Sequence, residues 1–485
     1  QVSRLPGNGI PSGEPPRTNF PARFSRRSVT RAGSARGNDR CSVSKNDVFQ
    51  SWLTERAIED VEAFVPDMAG SARGKVLPAD KFGTGDMKMP EAIFSQTISG
   101  SYIDDPNNVE DRDMLLIPDP TTLRPVPWAS DPTASVFLDC YHRDKSRVPQ
   151  SPRGVLRSVL GKYESKGWVP VVAPEVEFYL LSPHSDPGKE AEPPEGRLGW
   201  TEGARQPYSI DTMNDFDPFI NDVYAYCEAQ GIRIDTLSQE MGPAQFEINF
   251  LHGNAVDLAD QVFLFKRTVR EAAIEHEMHA TFLAKPMAEE AGSALHVHQS
   301  VVDKDGNNIF SDSSGEPTEL FYGFLGGLQK YMPDAILMFA PYVNSYRRFL
   351  NPWASPVNLA WAVDNRTVGL RVPDSGPEAR RVENRLAGSD VNPYLAIAAS
   401  LACGYLGMIE GLKPTDPVEG SAYGTEFGLH RHIYSAIDAL RDSNAMRSIL
   451  GDAFVDVYSA VKRDEYMEFQ EIITPWEREI LMFNV

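Results

Sequence analysis

Cysteine is scarce in this 485-residue chain: Cys41, Cys140, Cys227 and Cys403 stand far apart, and none forms a Cys-x-x-Cys pair. That spacing excludes a thiolate zinc cluster and a disulfide framework, and it fits a reducing compartment, so a cytoplasmic location is expected. Long hydrophobic runs are missing as well. The most apolar stretch, 395–409, is rich in Ala, Ser and Gly and falls short of the ~20 residues needed to span a bilayer, so it reads as a packed core helix. Basic charge is in deficit: 47 Lys and Arg stand against 68 Asp and Glu, for a net charge of −21. Such a surface repels nucleic acid and anionic membranes, and neither is an expected partner. Acidity of this kind keeps a large protein in solution and draws in cations, but it identifies no substrate. Repeats at a solenoid or propeller period are absent too.

What is there divides along the chain. Residues 1–40 hold eight Arg, no Lys, and only Glu14 and Asp39 as acids, among scattered Pro, Gly and Ser. Without hydrophobic periodicity, 1–40 is expected to be a disordered tail; its composition also suits a transit peptide, but five prolines disfavour the amphipathic helix such a peptide needs. From Asn46, the positions Val48, Phe49, Trp52, Leu53, Val61 and Phe64 fall near helical spacing and predict an amphipathic helix. Residues 66–150, rich in Gly, Pro and Asp with short apolar runs such as 114–117, predict a small strand-dominated unit. Ser151 followed by Pro152 reads as a helix start and a domain boundary, giving an N-terminal unit over 41–150 and a larger one over 151–485. In the larger unit, predicted strands at 171–181, 232–237, 245–250 and 294–301 alternate with helical segments near 256–278, 317–333 and 429–471. That is an α+β plan.

Three constellations carry chemistry. Glu175 and Glu177 lie two apart in an apolar strand, so both point to one face and repel unless a cation intervenes. Paired glutamates recur at Glu240 and Glu247 around a Gly-Pro turn. His296 and His298 then share a strand face after a Gly-Ser turn. Several carboxylates with imidazole and no thiolate suit hard octahedral cations, Mg²⁺ or Mn²⁺, which typically bridge nucleotide phosphates. Between 347 and 385 there are seven arginines and no lysine. Guanidinium is preferred where carboxylate or phosphate is held by paired hydrogen bonds, so this segment looks built for small anions.

Taken in order, Pro-Glu-Val-Glu-Phe (174–178), Glu-x6-Glu (240–247), Gly-Ser-x-x-His-x-His-x-Ser (292–300), Asn-Ser-Tyr-Arg-Arg (344–348), Asp-Asn-Arg (364–366) and Asn-Pro-Tyr (392–394) resemble the glutamine synthetase family over residues 60–485. The resemblance implies a β-grasp domain before residue 150 and a large catalytic α+β domain after it. The subunits would form a homo-oligomeric ring, expected to be a dodecamer, in which one β-grasp domain completes the neighbouring active site. It further implies one metal on Glu177, Glu240 and Glu247, and a second on Glu175, His296 and Glu383. By position, His298, Ser300, Arg371 and Arg381 correspond to nucleotide-contacting residues, and Gly292, Arg348 and Arg385 to glutamate-binding ones. Arg366 corresponds to the arginine that stabilises the transferring phosphoryl group. The substrates implied are ATP, glutamate and a nitrogen nucleophile.

The chain departs from the family where ammonia-using members bind ammonium. Their Asp-Gly-Ser reads Ser99-Gly100-Ser101 here, and their Glu after the Ser-Tyr-x-Arg motif falls in 351–356, which holds Trp353 and Ala354 but no acid. Losing two anions weakens ammonium binding by a few kcal/mol, at about 1.5–3 kcal/mol per hydrogen bond to a charged group. The expected nucleophile is therefore an organic amine (polyamine, alkylamine, ethanolamine or aromatic), with Trp353 on its carbon skeleton or distal cation. The run through 344–385 resembles the γ-glutamylpolyamine (γ-glutamylputrescine) synthetase branch most. Ordinary ammonia use and a catalytically silent structural relative remain as alternatives.

Overall fold

The computed structural model describes residues 45–104, 110–183, 186, 188–350, 355–425 and 428–485. The tail over 1–40 lies outside them, as do Trp353 and Ala354. Among the described residues the first sheet has six strands: β1 (Asp60–Pro66), β2 (Ala72–Pro78), β3 (Met87–Pro90), β4 (Asp113–Pro118), β5 (Arg124–Pro125) and β6 (Thr133–Tyr141). Its order is β2-β1-β6-β4-β3, with β5 paired to β6 and the β1–β6 pair parallel. Helix α1 (Lys45–Glu55) precedes it and is shorter than predicted, since Val61 and Phe64 belong to β1. The misreading has a physical source: residues 63–66 are all buried, and a short strand covered on both faces shows no alternation to separate it from a helix.

Beyond Ser151, which stands at the N-cap, α2 (Pro152–Glu164) starts where predicted. The second sheet comprises β7 (Trp168–Leu181), β8 (Ile234–Gln239), β9 (Gln245–Phe250), β10 (Gly253–Asn254), β11 (His279–Thr281), β12 (Leu295–Asp303), β13 (Trp361–Val363), β14 (Leu370–Val372) and β15 (Val382–Asn384). Its order is β13-β14-β15-β12-β7-β9-β8, with β10 and β11 also on β7. Helices α3 (Ile210–Asp215) and α4 (Asp217–Gln230) lead into β8, and α5 (Ala255–Glu275) is capped by Asn254, whose side chain accepts from the Val256 N–H. The α+β plan is observed.

Helix α6 (Glu319–Phe339) runs six residues past its predicted end, through Pro333. Proline forfeits one backbone bond there, but 335–339 are all buried apolar residues whose packing outweighs that loss. After α7 (Val343–Arg347) comes α8 (Pro393–Glu410), long and apolar enough to cross a membrane but 89% buried inside the protein, as expected of a core helix. It touches α6 backbone to backbone: a Cβ on Gly327 would sit 2.2 Å from the Cys403 carbonyl oxygen, and one on Gly407 2.1 Å from that of Gly323. The predicted helix over 429–471 is three: α9 (Ile433–Asp442), α10 (Asn444–Leu450) and α11 (Asp452–Gln470). Ser443 caps α10 and Gly451, with φ +96°, turns the chain into α11, so the helical periodicity survives while the axis changes.

Alternation in β7 sets up everything that follows. Val172, Val176, Phe178 and Leu180 are buried, and Phe178 meets Phe265 of α5, so the odd-numbered residues face away from the helices. A second link runs between the sheets. Arg153 of α2, 1% exposed, donates to Asp119 (2.8 Å), Asp139 of β6 (2.6 Å) and Asp260 of α5 (3.0 and 2.8 Å), and Tyr394 of α8 donates to Asp260 (2.5 Å).

Candidate active site

Strand register assembles the site on the face of the second sheet opposite the helices. Glu175 pairs with His296 of β12, and Glu177 with Glu247 of β9. His298 pairs with Glu383 of β15, which in turn pairs with Arg371 of β14. Directly paired antiparallel residues share a face, so these side chains form one surface. Glu240 arrives by the β8–β9 hairpin, where its N–H donates to the Gln245 carbonyl. Among the described residues, two groups have ligand atoms within 4.8 Å of one another: Glu175, Glu247 and His296, and Glu175, His298 and Glu383. His296 Nδ1 also lies 3.4 Å from Glu175 Oε2 and 3.8 Å from Glu383 Oε1.

The electrostatics of this surface are unbalanced. Burial, then the charge of Glu240, pushes the Glu177 carboxyl up to about 8. Burial and the neighbouring carboxylates drive Glu247 well above the usual range, and burial also raises Glu240. On the other side, hydrogen bonds from His296 and His298 overcome burial and hold Glu175 down, while Arg385 overcomes it at Glu383 and brings that acid to about 2. Burial and then Arg385 lower His296 to about 4, leaving it neutral at physiological pH. Three acids crowded at raised pKa, beside a neutral imidazole, fit divalent cations with oxygen-rich coordination.

The guanidiniums sit around this centre. Arg385 bonds Glu383. Arg348 is 3% exposed and donates to the Leu386 and Arg385 carbonyls at 2.9 and 3.0 Å. The buried Nε atoms of Arg348, Arg371 and Arg385 have no partner among the described residues, as expected of groups awaiting an anion. Gly292 packs against Arg348: a Cβ there would lie 2.7 Å from Arg348 Cγ and 2.8 Å from the Ala284 carbonyl oxygen, so no other residue fits. Arg366 is exposed in the β13–β14 loop, where its charge counters the rise at Glu240.

Ser300, His298 and Arg381 line a cavity of about 500 Å³ that reaches Glu175. Arg381 Nε donates to His298 Nδ1 (3.2 Å), leaving His298 Nε2 to face Glu175 Oε1 at 3.0 Å. Arg371 stands apart from that cavity, held by Glu383 at 2.7 Å and Asp364 at 2.5 Å. The site residues carried over on resemblance are thus brought together around one surface, Trp353 and Ala354 excepted because they lie outside the described residues.

Against known proteins, residues 149–481 match the glutamine synthetase catalytic domain. The chain belongs to the glutamine synthetase family. It is an ATP-dependent ligase. It is 34% identical over 436 residues to gamma-glutamylputrescine synthetase PuuA of Escherichia coli, covering 87% of this chain and 92% of the relative. It is 32% identical over 447 residues to the glutamate–isopropylamine ligase of a Pseudomonas species (88% and 96%), and 31% over 461 residues to glutamine synthetase of Halobacterium salinarum (90% and 98%). The solved structure of GmaS without ligand matches with a TM-score of 0.77 at 29% identity, covering 90% of this chain and 99% of that one.

Sequence reasoning in this ligase missed the residues that brace the site. Gln245 Nε2 lies 3.3 Å from Glu177 Oε2 and 3.1 Å from the Gly292 carbonyl, joining the metal-type face to the Gly292 turn. Its place two residues before Glu247, on the same strand face, was a usable signal. Asp364, at φ +49°, holds Arg371 seven residues on; the motif at 364–366 marked the segment but not this partner.

Proposed function

We propose that this glutamine synthetase relative joins the γ-carboxylate of glutamate to an organic amine. The observation that carries the reading is the missing acid: Ser99 and the acid-free run 351–356 stand where ammonia-using members place carboxylates. Ser99 Oγ is instead committed to Glu468 Oε2 at 2.5 Å. The metal assignment is the one that the family resemblance implies. Glu177, Glu240 and Glu247 would hold one Mg²⁺ or Mn²⁺, and Glu175, His296 and Glu383 the other. Bound there, the ions would supply positive charge that offsets the nucleotide phosphates.

A carboxylate is a poor electrophile, so glutamate first takes the γ-phosphoryl group of ATP and becomes γ-glutamyl phosphate, releasing ADP. Arg366 stabilises the transferring group, and His298, Ser300, Arg371 and Arg381 hold the nucleotide. Gly292, Arg348 and Arg385 hold glutamate, the unpartnered Nε atoms of the two arginines providing donors. An unprotonated amine then attacks the acyl carbon, and the amide forms as phosphate leaves. Trp353 and Ala354 shape the amine pocket. In this reading residues 41–150 are the β-grasp unit, 151–485 the catalytic domain, and the cytoplasmic enzyme works as a ring, a dodecamer, whose subunits share sites.

The test is phosphate release from ATP and glutamate with Mg²⁺ or Mn²⁺ across ammonium, putrescine, spermidine, ethanolamine, isopropylamine and aniline. Turnover with one organic amine at least tenfold above ammonium is expected. Ammonium matching the best amine would return the enzyme to ordinary glutamine synthesis.

A further inference from the structure

Behind the active site, on the helix side of the second sheet, lies a cavity of about 640 Å³ that the reaction does not use. Its walls carry four cations, Lys266, Arg267, Arg270 and Arg347, with Phe282 and two acids, Asp390 and Glu465; Glu465 is taken up by Lys462 and the Ile98 N–H, both at 2.8 Å. In a chain with 21 more acids than bases, this concentration of cations is unusual. Arg267 is spoken for by Glu62 (2.8 Å). Arg270 and Arg347 are exposed residues at its mouth and have no hydrogen-bond or ion-pair partner among the described residues. Lys266, 8% exposed, donates to the Ser389 and Val391 carbonyls at 2.6 and 2.9 Å and has no carboxylate partner among the described residues. Both Lys266 and Arg270 approach the Phe282 ring, at 5.4 and 5.0 Å from its centroid, so two like charges gather at one aromatic ring. Asp390 spends one oxygen on the Ser345 hydroxyl (2.6 Å) and leaves the other unpartnered.

From this geometry we infer that the cavity is a second ligand site, for a small organic carboxylate with an apolar or aromatic body. Its carboxylate would be held between Lys266 and Arg270, and its body against Phe282. An anion there relieves the repulsion that, with burial, lowers Lys266 to about 7.

The same walls are wired to the catalytic face. Ser389, whose carbonyl Lys266 holds, donates from its hydroxyl to the Glu177 carbonyl (2.5 Å) and from its N–H to the Ser293 carbonyl (2.9 Å). Asn344 grips Lys285 by both N–H and C=O, at 2.8 and 2.9 Å, at the start of the loop leading to Gly292, and Arg347 adjoins Arg348. Occupancy is therefore felt at the strand bearing Glu177 and at the Gly292 turn. That consequence rests on the proposed glutamate site, whereas binding itself does not.

The test is calorimetric titration of the whole purified chain with 3-phenylpropionate, alongside 3-phenylpropanol and inorganic phosphate, with and without saturating glutamate. Saturable binding of 3-phenylpropionate that glutamate does not displace is expected, with neither control binding. Arg270→Gln should weaken it at least tenfold, with turnover in the absence of probe unchanged. Arg347→Gln is an independent exposed variant expected to weaken it in the same direction. Absence of saturable binding, equal binding of the alcohol or of phosphate, displacement by glutamate, or an unaltered affinity in Arg270→Gln would each overturn the site. Because calorimetry reads binding and not turnover, a wrong amine assignment leaves this result standing.

Discussion

Two buried charge clusters, one on each side of β7, show how differently a chain can treat burial of ions. Around Arg153, three aspartates meet one guanidinium, with Arg157 adding a bond to Asp119 at 3.0 Å. Every partner comes from the chain itself, and the carboxylates hold Arg153 charged against the effect of burial. Around Glu177, by contrast, Glu240 and Glu247 add like charge, and the site answers by raising pKa values rather than by pairing. Closed clusters of the first kind fix structure. An open cluster costs stability that protonation or an external cation restores, and this makes it a candidate functional site rather than an architectural one.

Breaking each cluster should have opposite consequences. Glu247→Gln removes a candidate metal ligand, so turnover should fall more than about 100-fold, since even the outer partners of metal ligands contribute 10–100-fold. In the metal-free protein the same change removes like-charge repulsion and should raise the melting temperature. Steady-state phosphate release and a thermal melt in chelator check both halves, and a lower melting temperature would put Glu247 among the structural acids. Arg153→Met does the reverse. It leaves Asp260 buried without its cation, at a cost of about 3–5 kcal/mol, with little effect on kcat per folded molecule. Denaturant unfolding against active-site titration separates the two.

The difference between the clusters also explains what could be read from the chain alone. The candidate-site residues Glu175, Glu177, Glu247, His296 and His298 were legible because chemistry and strand period coincide: acids two apart in an apolar strand announce a shared face before any partner is known. Arg153 and its aspartates were not, because Asp119, Asp139, Asp260 and Tyr394 meet only through tertiary packing and each alone looks like an ordinary surface residue. The α+β plan and most elements followed from periodicity. The errors fell where periodicity is ambiguous: at β1, buried on both faces, at α6, whose apolar packing carries it through Pro333, and at the turns at Ser443 and Gly451, which redirect a helical pattern without interrupting it.

The smallest expected effect is a slope rather than a loss, and it distinguishes the clusters within one wild-type sample. At Asp119 the Thr121 and Arg153 hydrogen bonds outweigh burial and hold the acid at about 2, below its ordinary 3.8. Its contribution is present above about pH 3.8 and disappears as pH falls through about 2. Glu177 runs the other way. Its folded value of about 8 lies above the ordinary 4.5, so between those values the folded state binds the extra proton and stability declines as pH rises, levelling above about pH 8. Metal-free protein should therefore lose about 2 kcal/mol between pH 5 and 8, a figure kept below the single-site limit because neighbouring acids share the titration. Mn²⁺ binds the deprotonated ligands, so its stabilisation should grow over the same interval and flatten the curve. Urea unfolding at pH 5, 6.5 and 8, with chelator or with Mn²⁺, reads this directly. A metal-free curve that rises with pH would mean that the acids around Glu177 are paired after all, and the contrast between the two clusters would collapse.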